Sequence, residues 1–233
     1  MKKILFILLL SVSFLNAQNN GIKTALISVS LGQQEGENEQ IIIKTTSTSA
    51  TWSPVTITNS GATLVWEVSG GVTIGEQTVN DPTLNLSSNT GEATIVIKST
   101  TNFAGLTALY IDNLDINYVD VLKATDLQEY SVKQNADLAG VDVSTLTDLR
   151  KLTVRDNAIS TLDVSNNPLM TDIWAYGNSL TSFDWLDVPL LTKLHIYSNQ
   201  LNTIQLNKII IDADASGLSN GNLKILDNAG AIT

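Results

Sequence analysis

Cysteine is absent from the 233-residue chain, and histidine occurs once, as His195. Without cysteine the protein has no disulfides, no thiolate metal ligands and no cysteine for lipid attachment. A nucleophilic triad needs a histidine base, and a zinc site needs three or four histidine, cysteine or carboxylate ligands. A single histidine, placed by the repeat pattern below at an outward-facing strand position, supports neither arrangement. We therefore predict no enzymatic activity, no metal site and no cofactor.

Basic residues are also scarce. The chain has 13 lysines and arginines against 23 acidic residues, which gives a formal net charge of −10. Non-specific binding to nucleic acid depends on neutralising phosphates with basic side chains, and binding to anionic lipid surfaces makes the same demand. The charge therefore argues against a nucleic-acid partner and against docking on an anionic membrane.

Long apolar runs are missing, apart from the 12 residues of Ile4–Leu15. A membrane-spanning helix needs roughly 20 apolar residues, so this run is too short to cross a bilayer. Two lysines precede it and the small residue Ala17 follows it. Residues 1–17 are therefore predicted to be a secretory signal peptide, cleaved between Ala17 and Gln18 or close by. We expect a secreted or outer-surface protein without membrane insertion.

Residues 18–104 carry short apolar segments rich in β-branched residues, separated by turn-forming segments rich in serine, asparagine and glycine. The apolar segments are Ala25–Val29, Gln40–Lys44, Ala62–Val68 and Ala93–Lys98. Such a pattern is typical of a β-sandwich, and Trp66 is predicted to belong to its core. Trp66–Gly71 and Gly91–Val96 resemble the strand and turn motifs of PKD-type immunoglobulin-like modules, although the aspartate and the tyrosine of those motifs are missing. The resemblance implies an immunoglobulin-like N-terminal domain.

Residues 105–204 repeat with a period of 21–22 residues. The motif has apolar residues at its first, fourth and sixth positions and asparagine at its ninth. Its copies begin at Leu106, Leu127, Leu149, Met170 and Leu191. A second motif, centred on an aspartate, recurs in phase with the first at Asp120, Asp142, Asp163 and Asp184. Repetition at this period is typical of a solenoid, in which each coil stacks on the next.

These motifs resemble the leucine-rich repeat, in the short variety found in exported proteins of Bacteroidetes-type bacteria. The resemblance covers residues 106–204, with Leu114 replacing the asparagine in the first copy. It implies parallel strands lining a concave face, and it implies that the protein is an interaction scaffold. With the N-terminal half included, the predicted fold is mainly β, with an N-terminal β-sandwich followed by a short leucine-rich-repeat solenoid and a helical C-terminal cap.

Alternation along each strand predicts which side chains point into the solenoid: apolar pairs such as Leu152 and Val154 point inward, and the residues between them point outward. The asparagines of the motif are predicted to form a ladder, their amides bonding backbone groups left free where each strand turns. They are Asn135, Asn157, Asn178 and Asn199. The aspartates of the second motif have two possible roles, bonding backbone amides in convex turns or holding Ca²⁺. Their regular repetition favours the structural role.

Residues 205–233 break the repeat. A helix is predicted over Gln205–Ala215, because apolar residues recur there at the spacing of one helix face. Gly217 is its expected C-cap, and Leu223–Asn228 restores the strand motif. The helix and this last strand are predicted to cap the solenoid.

Outward-facing strand positions place aromatic and basic residues together on the predicted concave face. The candidate binding residues are Lys133, Arg155, Trp174, Tyr176, His195 and Tyr197. Aromatic residues and arginine dominate the energetics of many protein interfaces. The function we predict is therefore protein recognition or adhesion at or outside the cell surface, with a protein partner whose identity the sequence does not give.

Three alternatives stay open for this face. A carbohydrate-binding module would stack Trp174, Tyr176 and Tyr197 on sugar rings. A glycoside-acting enzyme would need a pair of carboxylates at the spacing of a glycosidase. The aromatic side chains could also serve only to pack across neighbouring strands.

Overall fold

The computed structural model describes residues 40–58, 63–218 and 222–229. The predicted signal peptide, the predicted strand Ala25–Val29 and the last four residues of the predicted cap lie outside these ranges. The elements within them are, in chain order, β1 (Gln40–Thr45), β2 (Val55–Thr58), β3 (Leu64–Gly70), β4 (Ile74–Thr78), β5 (Ala93–Ser99), β6 (Leu106–Tyr110), β7 (Ile116–Asp120), β8 (Glu129–Ser131), β9 (Lys151–Thr153), β10 (Asp172–Trp174), β11 (Lys193–His195), α1 (Thr203–Ser216) and β12 (Leu223–Lys224).

Most strands of the N-terminal half belong to an antiparallel sheet with the order β4-β3-β5-β1-β7. Buried and less buried residues alternate along β1, β3 and β5, as expected of strands that cover a core with one face. These strands confirm three of the predicted apolar segments. Trp66 is fully buried in β3, as predicted, and its Nε1 donates to the carbonyl of Val79 at 2.7 Å. The sandwich itself stays a prediction, because residues 1–39 lie outside the described residues.

The repeats form a solenoid whose concave sheet has the order β12-β11-β10-β9-β8-β6-β2. From β6 to β12 neighbouring strands are parallel, and equivalent positions of the repeat face each other, as Tyr130 faces Leu152 and Ile173 faces Leu194. These four side chains are buried, because they are the inward-pointing members of the alternation. A stack of parallel coils with one short strand in each is a fold of the leucine-rich-repeat type.

Two strands extend the sheets across residue 104, where the sequence predicts a domain boundary. β2 pairs antiparallel with β6 and forms the N-terminal edge of the concave sheet. The outward amide of Thr56 in β2 donates to Asp81 Oδ1 at 2.6 Å, so this edge is partly covered by a side chain. β7, on the convex side of the first repeat, pairs with β1. The described residues accordingly belong to one compact unit, and the boundary at residue 104 stays a prediction from composition.

On the convex side, the coils return through pairs of successive hydrogen-bonded turns, where the repeat length predicts extended or 3₁₀ segments. The amide of Leu146 donates to the carbonyl of Val143 at 3.0 Å, and the amide of Leu149 donates to the carbonyl of Leu146 at 3.1 Å. The same pair of turns recurs around Ala124, Asn167 and Val188. Two linked turns bring every third residue to the inner side, and Val143, Leu146 and Leu149 are all buried.

The helix α1 begins two residues earlier than predicted because Asn202 caps it. The side-chain Oδ1 of Asn202 accepts a hydrogen bond from the amide of Gln205 at 3.0 Å. The helix ends at Ser216, and the φ of 75° at Gly217 confirms the predicted C-cap. Its buried residues are Leu206, Ile209 and Ala213. No helix in the described ranges is long and apolar enough to cross a bilayer.

Candidate functional site

The parallel register aligns the outward-facing side chains of successive coils in columns on the concave face. The first column is Tyr110, Ser131, Thr153, Trp174, His195 and Lys224. The second column, two residues further along each coil, is Asp112, Lys133, Arg155, Tyr176, Tyr197 and Leu226. The six predicted binding residues all belong to these two columns.

Two tyrosine rings stack in the second column. The ring centroids of Tyr176 and Tyr197 are 4.3 Å apart and the ring planes differ by 10°. The guanidinium carbon of Arg155 lies 5.5 Å from the centroid of Tyr176, at a distance typical of a cation–π contact. Because Arg155 and Tyr197 come from the coils on either side of Tyr176, both faces of its ring are covered. This stack holds three of the predicted residues in one fixed arrangement.

Trp174 and His195 are neighbours in the first column, with ring centroids 6.3 Å apart. Lys193 Nζ lies 5.3 Å from the Trp174 ring. Burial lowers the pKa of His195, and the positive charges of Lys224 and Lys193 lower it further, so this histidine is neutral at pH 7. The indole Nε1 of Trp174 is buried and has no hydrogen-bond partner among the described residues.

A third column of outward-facing residues lies beside the first, and the candidate residues predicted from the sequence include none of its members. Its charged members alternate in sign along the stack, as Glu129, Lys151, Asp172 and Lys193. Lys151 Nζ lies 2.7 Å from Glu129 Oε1, and Lys193 Nζ lies 2.6 Å from Asp172 Oδ1. The sequence contains a signal for this column, because its four charged residues all stand directly before the second apolar position of the repeat motif.

Glu129 also accepts a hydrogen bond from the hydroxyl of Tyr110 at 2.8 Å. Hydrogen bonds from Lys151 and from Tyr110 lower the pKa of Glu129. Burial, followed by the bond to Glu129, raises the pKa of Tyr110 to about 12. Glu129 is therefore a carboxylate and Tyr110 a neutral phenol throughout the physiological pH range.

The two predicted basic residues each have a carboxylate partner. Lys133 Nζ lies 3.0 Å from Asp112 Oδ2, and Asp112 also accepts from the hydroxyl of Ser131 at 2.6 Å. Arg155 forms an ion pair with the adjacent Asp156. Arg155 is thus held on the concave face by a carboxylate of its own coil, and Lys133 by a carboxylate of the preceding coil.

A cavity of about 460 Å³ opens on the concave face. It includes five of the predicted binding residues, and Tyr197 lies outside it. The residues that line it are Tyr110, Glu129, Tyr130, Ser131, Lys133, Lys151, Thr153, Arg155, Trp174, Tyr176, Lys193 and His195. The structure therefore adds Tyr110 and three charged residues of the third column to the candidate site.

The four predicted ladder asparagines are buried where the strands turn toward the convex side. Asn157 is representative: its Oδ1 accepts from the amide of Asn135 at 2.8 Å, and its Nδ2 donates to the carbonyls of Val132 and Val154 at 2.6 and 2.8 Å. Asn178 and Asn199 make equivalent bonds to the preceding coils. Asn228 continues the series in the cap, since its Oδ1 accepts from the amide of Leu201 at 3.3 Å.

The aspartates of the second motif bond the backbone within their own turns. The side-chain Oδ1 atoms of Asp120, Asp142, Asp163 and Asp184 accept from the amide two residues later at 3.0, 2.9, 2.9 and 3.2 Å. This is the structural role that their repetition favours. Across residues 40–58, 63–218 and 222–229, no group of three or more histidine, cysteine or acidic residues is placed to hold a metal ion.

One buried polar residue was missed by the sequence analysis. Asn167 stands where the neighbouring coils have Leu146 and Val188, and its Nδ2 donates to the carbonyls of Val143 and Leu146 at 2.9 and 2.8 Å. It is fully buried on the convex side of the core. The signal in the sequence was an asparagine at a repeat position that is otherwise apolar. In the structure this asparagine links its coil to the preceding one on the convex side, away from the ladder.

No protein-family model matches the chain, and no curated protein does. Among solved structures, the chain is similar to the functional domain of InlJ from Listeria monocytogenes, which includes a cysteine ladder. The two are 22% identical, with a TM-score of 0.38, over 59% of this chain. The match spans 38% of the length of that structure. The leucine-rich-repeat type of fold is assigned here from the parallel coils and the buried asparagines.

Proposed function

We propose that this protein is a recognition scaffold, exported to the cell surface or beyond it, that binds a protein partner on its concave face. The observation that carries the proposal is the Arg155–Tyr176–Tyr197 stack beside Trp174 and His195. Aromatic residues and arginine held in a fixed geometry lose little conformational entropy on binding. They are also the residue types that most often dominate interface energies.

The geometry favours a protein ligand over a sugar. A carbohydrate ring stacks on an open aromatic face, and both faces of the Tyr176 ring are already covered. Lys193 stands over the ring of Trp174. Arginine, lysine and tyrosine edges pointing into a half-open cavity suit the mixed polar and apolar surface of a peptide segment.

Catalysis is not part of the proposal. A glycosidase needs two carboxyl groups, one of which stays protonated near neutral pH. Glu129 is the single acidic residue that lines the described cavity, and its pKa is lowered rather than raised. We expect no glycoside hydrolysis, which a screen with aryl glycosides of several sugars would check.

Export rests on the signal-peptide pattern of residues 1–17, and the immunoglobulin-like sandwich of residues 18–104 would serve as the N-terminal cap of the solenoid. N-terminal sequencing of the exported chain should start close to Gln18. An exported chain that begins with Met1 would contradict the signal peptide.

The binding proposal predicts that Trp174→Ala combined with Tyr197→Ala abolishes partner capture while the protein stays folded. Both side chains point away from the core, so thermal stability should change little. Loss of an aromatic hot spot typically costs 2 kcal/mol or more, roughly thirtyfold in affinity. The measurement is affinity capture of proteins from host and bacterial surface extracts on immobilised chain, with quantitative mass spectrometry and with a glycan array in parallel.

Asp163→Ala, on the convex side, is the matched control and should leave capture intact. If the double variant captures the same proteins and Asp163→Ala loses them, the binding surface is convex and the aromatic residues only pack across strands. If the glycan array responds and capture of deglycosylated proteins is lost, the partner is a sugar.

A further inference from the structure

Side-chain size changes abruptly in the middle of the first column. Ser131 and Thr153, on β8 and β9, are small and buried. Trp174 and His195, on β10 and β11, are large and partly exposed. The midpoint between β9 and β10 therefore separates a low half of this column from a high half. A surface of this kind fits its own copy when the copy is turned end over end, because each high half then meets a low half.

The charges of the third column are arranged around the same midpoint. Their signs are negative, positive, negative and positive, at Glu129, Lys151, Asp172 and Lys193. In a copy turned end over end the order of signs is reversed, so each charge of the column faces one of opposite sign. Shifting the copy by one strand would place like charges opposite each other, which is unfavourable. The third column therefore selects the register that the first column also favours.

Within one chain the charges of the third column are already paired, two by two along the column. A reversed copy requires none of these pairs to open, because each charge keeps its neighbour and gains a second one of opposite sign across the interface. Charges joined in a network contribute more than isolated surface pairs. The third column thus supplies register, and the first column supplies the burial of large side chains.

The second column is compatible with this register. Arg155 and Tyr176 lie on either side of the midpoint, so Arg155 of each copy faces Tyr176 of the other. Lys133 and Tyr197, one coil further out on each side, face each other in the same way. Basic side chains donate and a tyrosine hydroxyl oxygen accepts, so both facing pairs allow hydrogen bonds. Among the described members of the three columns, no like charges face each other.

The concave face is also where two copies repel each other least. The whole chain has 23 acidic and 13 basic residues, whereas the three columns carry three acidic and five basic residues. Net charge of one sign opposes self-association, so an acidic chain associates most readily through a face that is not acidic. Six strands about 4.8 Å apart and three columns about 6.7 Å apart give a face of roughly 29 by 20 Å. Two such faces bury about 1,200 Å², the lower limit of a standard specific interface.

Resting on the proposed recognition function, we propose that the protein partner of the concave face is a second copy of this chain. The two copies meet face to face with their solenoid axes antiparallel, and a two-fold axis runs parallel to the strands at the midpoint between β9 and β10. Trp174 of each copy lies over Thr153 of the other. His195 lies over Ser131 in the same way. Because a two-fold interface is closed, the assembly stops at a dimer, and the recognition is homophilic.

Sedimentation equilibrium of the purified chain tests the assembly. We expect a reversible equilibrium between monomer and dimer in the micromolar range, where weak interfaces of this size dissociate, and no larger species. Trp174→Ala combined with Tyr197→Ala removes the largest facing side chains and should shift the equilibrium to the monomer.

A pair of charge reversals locates the contact. Lys151→Glu places its new carboxylate opposite Asp172 of the other copy, and Asp172→Lys places its new ammonium group opposite Lys151 of the other copy. Each variant alone should dimerise at least about tenfold more weakly than the parent chain, because like charges face each other twice in a two-fold interface. In an equimolar mixture every facing pair has opposite signs again, so the mixture should dimerise like the parent chain. Titrating one fluorescently labelled variant with the other measures this by anisotropy.

Lys123→Glu, in an exposed convex turn, is the matched control. It changes the net charge by the same amount as Lys151→Glu and should leave the dimer intact. Glu129→Lys and Lys193→Glu form a second pair of the same design, at the outer positions of the third column. This pair replaces the first if circular dichroism shows that one of those variants does not fold.

The outcomes separate this inference from the proposed function. A chain that stays monomeric, or a dimer that both single charge reversals leave intact, would overturn the concave homodimer. Folded variants that do not dimerise when mixed would overturn the antiparallel register. In each of these cases concave recognition still stands if the chain captures a different protein and Trp174→Ala with Tyr197→Ala abolishes that capture. A monomeric chain whose capture of other proteins is unaffected by the double variant would overturn both proposals.

Discussion

The backbone just before each ladder asparagine adopts a left-handed conformation. Gln134, Asp156, Gly177 and Ser198, which occupy this position in successive coils, have φ between 52° and 66°. Asparagine and aspartate tolerate this region better than other residues with a Cβ, and glycine tolerates it best. The position lets the strand turn sharply so that the following asparagine enters the core.

Gly177→Ala should destabilise the fold by about 1–2 kcal/mol, the cost of a left-handed conformation for a residue with a Cβ. The new Cβ would also collide with Asp156 Oδ1, which would have to move. Urea denaturation gives the free energy of unfolding. Gly140→Ala is the control, because a Cβ there meets nothing within 4 Å, and it should change stability by less than about 0.5 kcal/mol. Equal losses in the two variants would show that the left-handed turn is not the constraint.

At the scale of the coil, the asparagine ladder connects each strand turn to the one before it. Asn157→Ala removes one acceptor and two donor contacts that join residues 132, 135 and 154. Leaving these buried groups unpaired should cost roughly 1–3 kcal/mol.

Asn166→Ala is the matched control for the ladder. This asparagine is exposed in a convex turn, so its loss should cost less than about 0.5 kcal/mol. Chemical denaturation of both variants provides the comparison, and indistinguishable midpoints would argue against the ladder as a source of stability.

The coils were predictable from the sequence because each one is specified locally. The 21–22-residue spacing gives the parallel register, the inward pairs such as Leu152 and Val154, and the turn asparagines. The positions of β2 and β7 were not predictable, because the choice of sheet for a short β-branched segment depends on which edge is left unpaired. Asn167 was missed for a related reason: a polar residue at an apolar repeat position looks exposed until its backbone partners are known.

The candidate site was predictable in composition but not in arrangement. Alternation placed Trp174, Tyr176 and His195 outward, whereas the covering of Tyr176 by Arg155 depends on rotamers that a pattern does not specify. Predicting the third column from the sequence would have required aligning every outward position of the repeat, including the one directly before Leu152.

Over the whole molecule, stability should fall as the pH is lowered. The fold lowers the pKa of several carboxyl groups, including Glu129 through Lys151 and Tyr110, and Asp163 through the amide of Ser165. Such groups stabilise the fold above their unfolded pKa of about 4, and the contribution is lost as the pH falls through the folded pKa. His195, whose pKa burial lowers, binds a proton more readily when unfolded, so it reduces stability below about pH 6.5.

Urea melts at pH 7, 5 and 3 should therefore give a free energy of unfolding that decreases in two stages. His195→Gln should remove most of the difference between pH 7 and pH 5 and leave the loss between pH 5 and pH 3. A variant that parallels the parent chain at all three pH values would show that the fold does not lower the pKa of His195.

The reversed direction of β2 has a consequence for how such a protein changes over generations. A further parallel coil outside β2 would have to pair with an antiparallel strand, one of whose outward amides is already bonded to Asp81. Between β8 and β11, by contrast, every junction has the same register. Duplication or loss of a repeat unit inside the array would keep both ends intact and lengthen or shorten the concave face by about 4.8 Å per unit. Length variation among descendants of this gene should therefore come in steps of 21 or 22 codons, within the array.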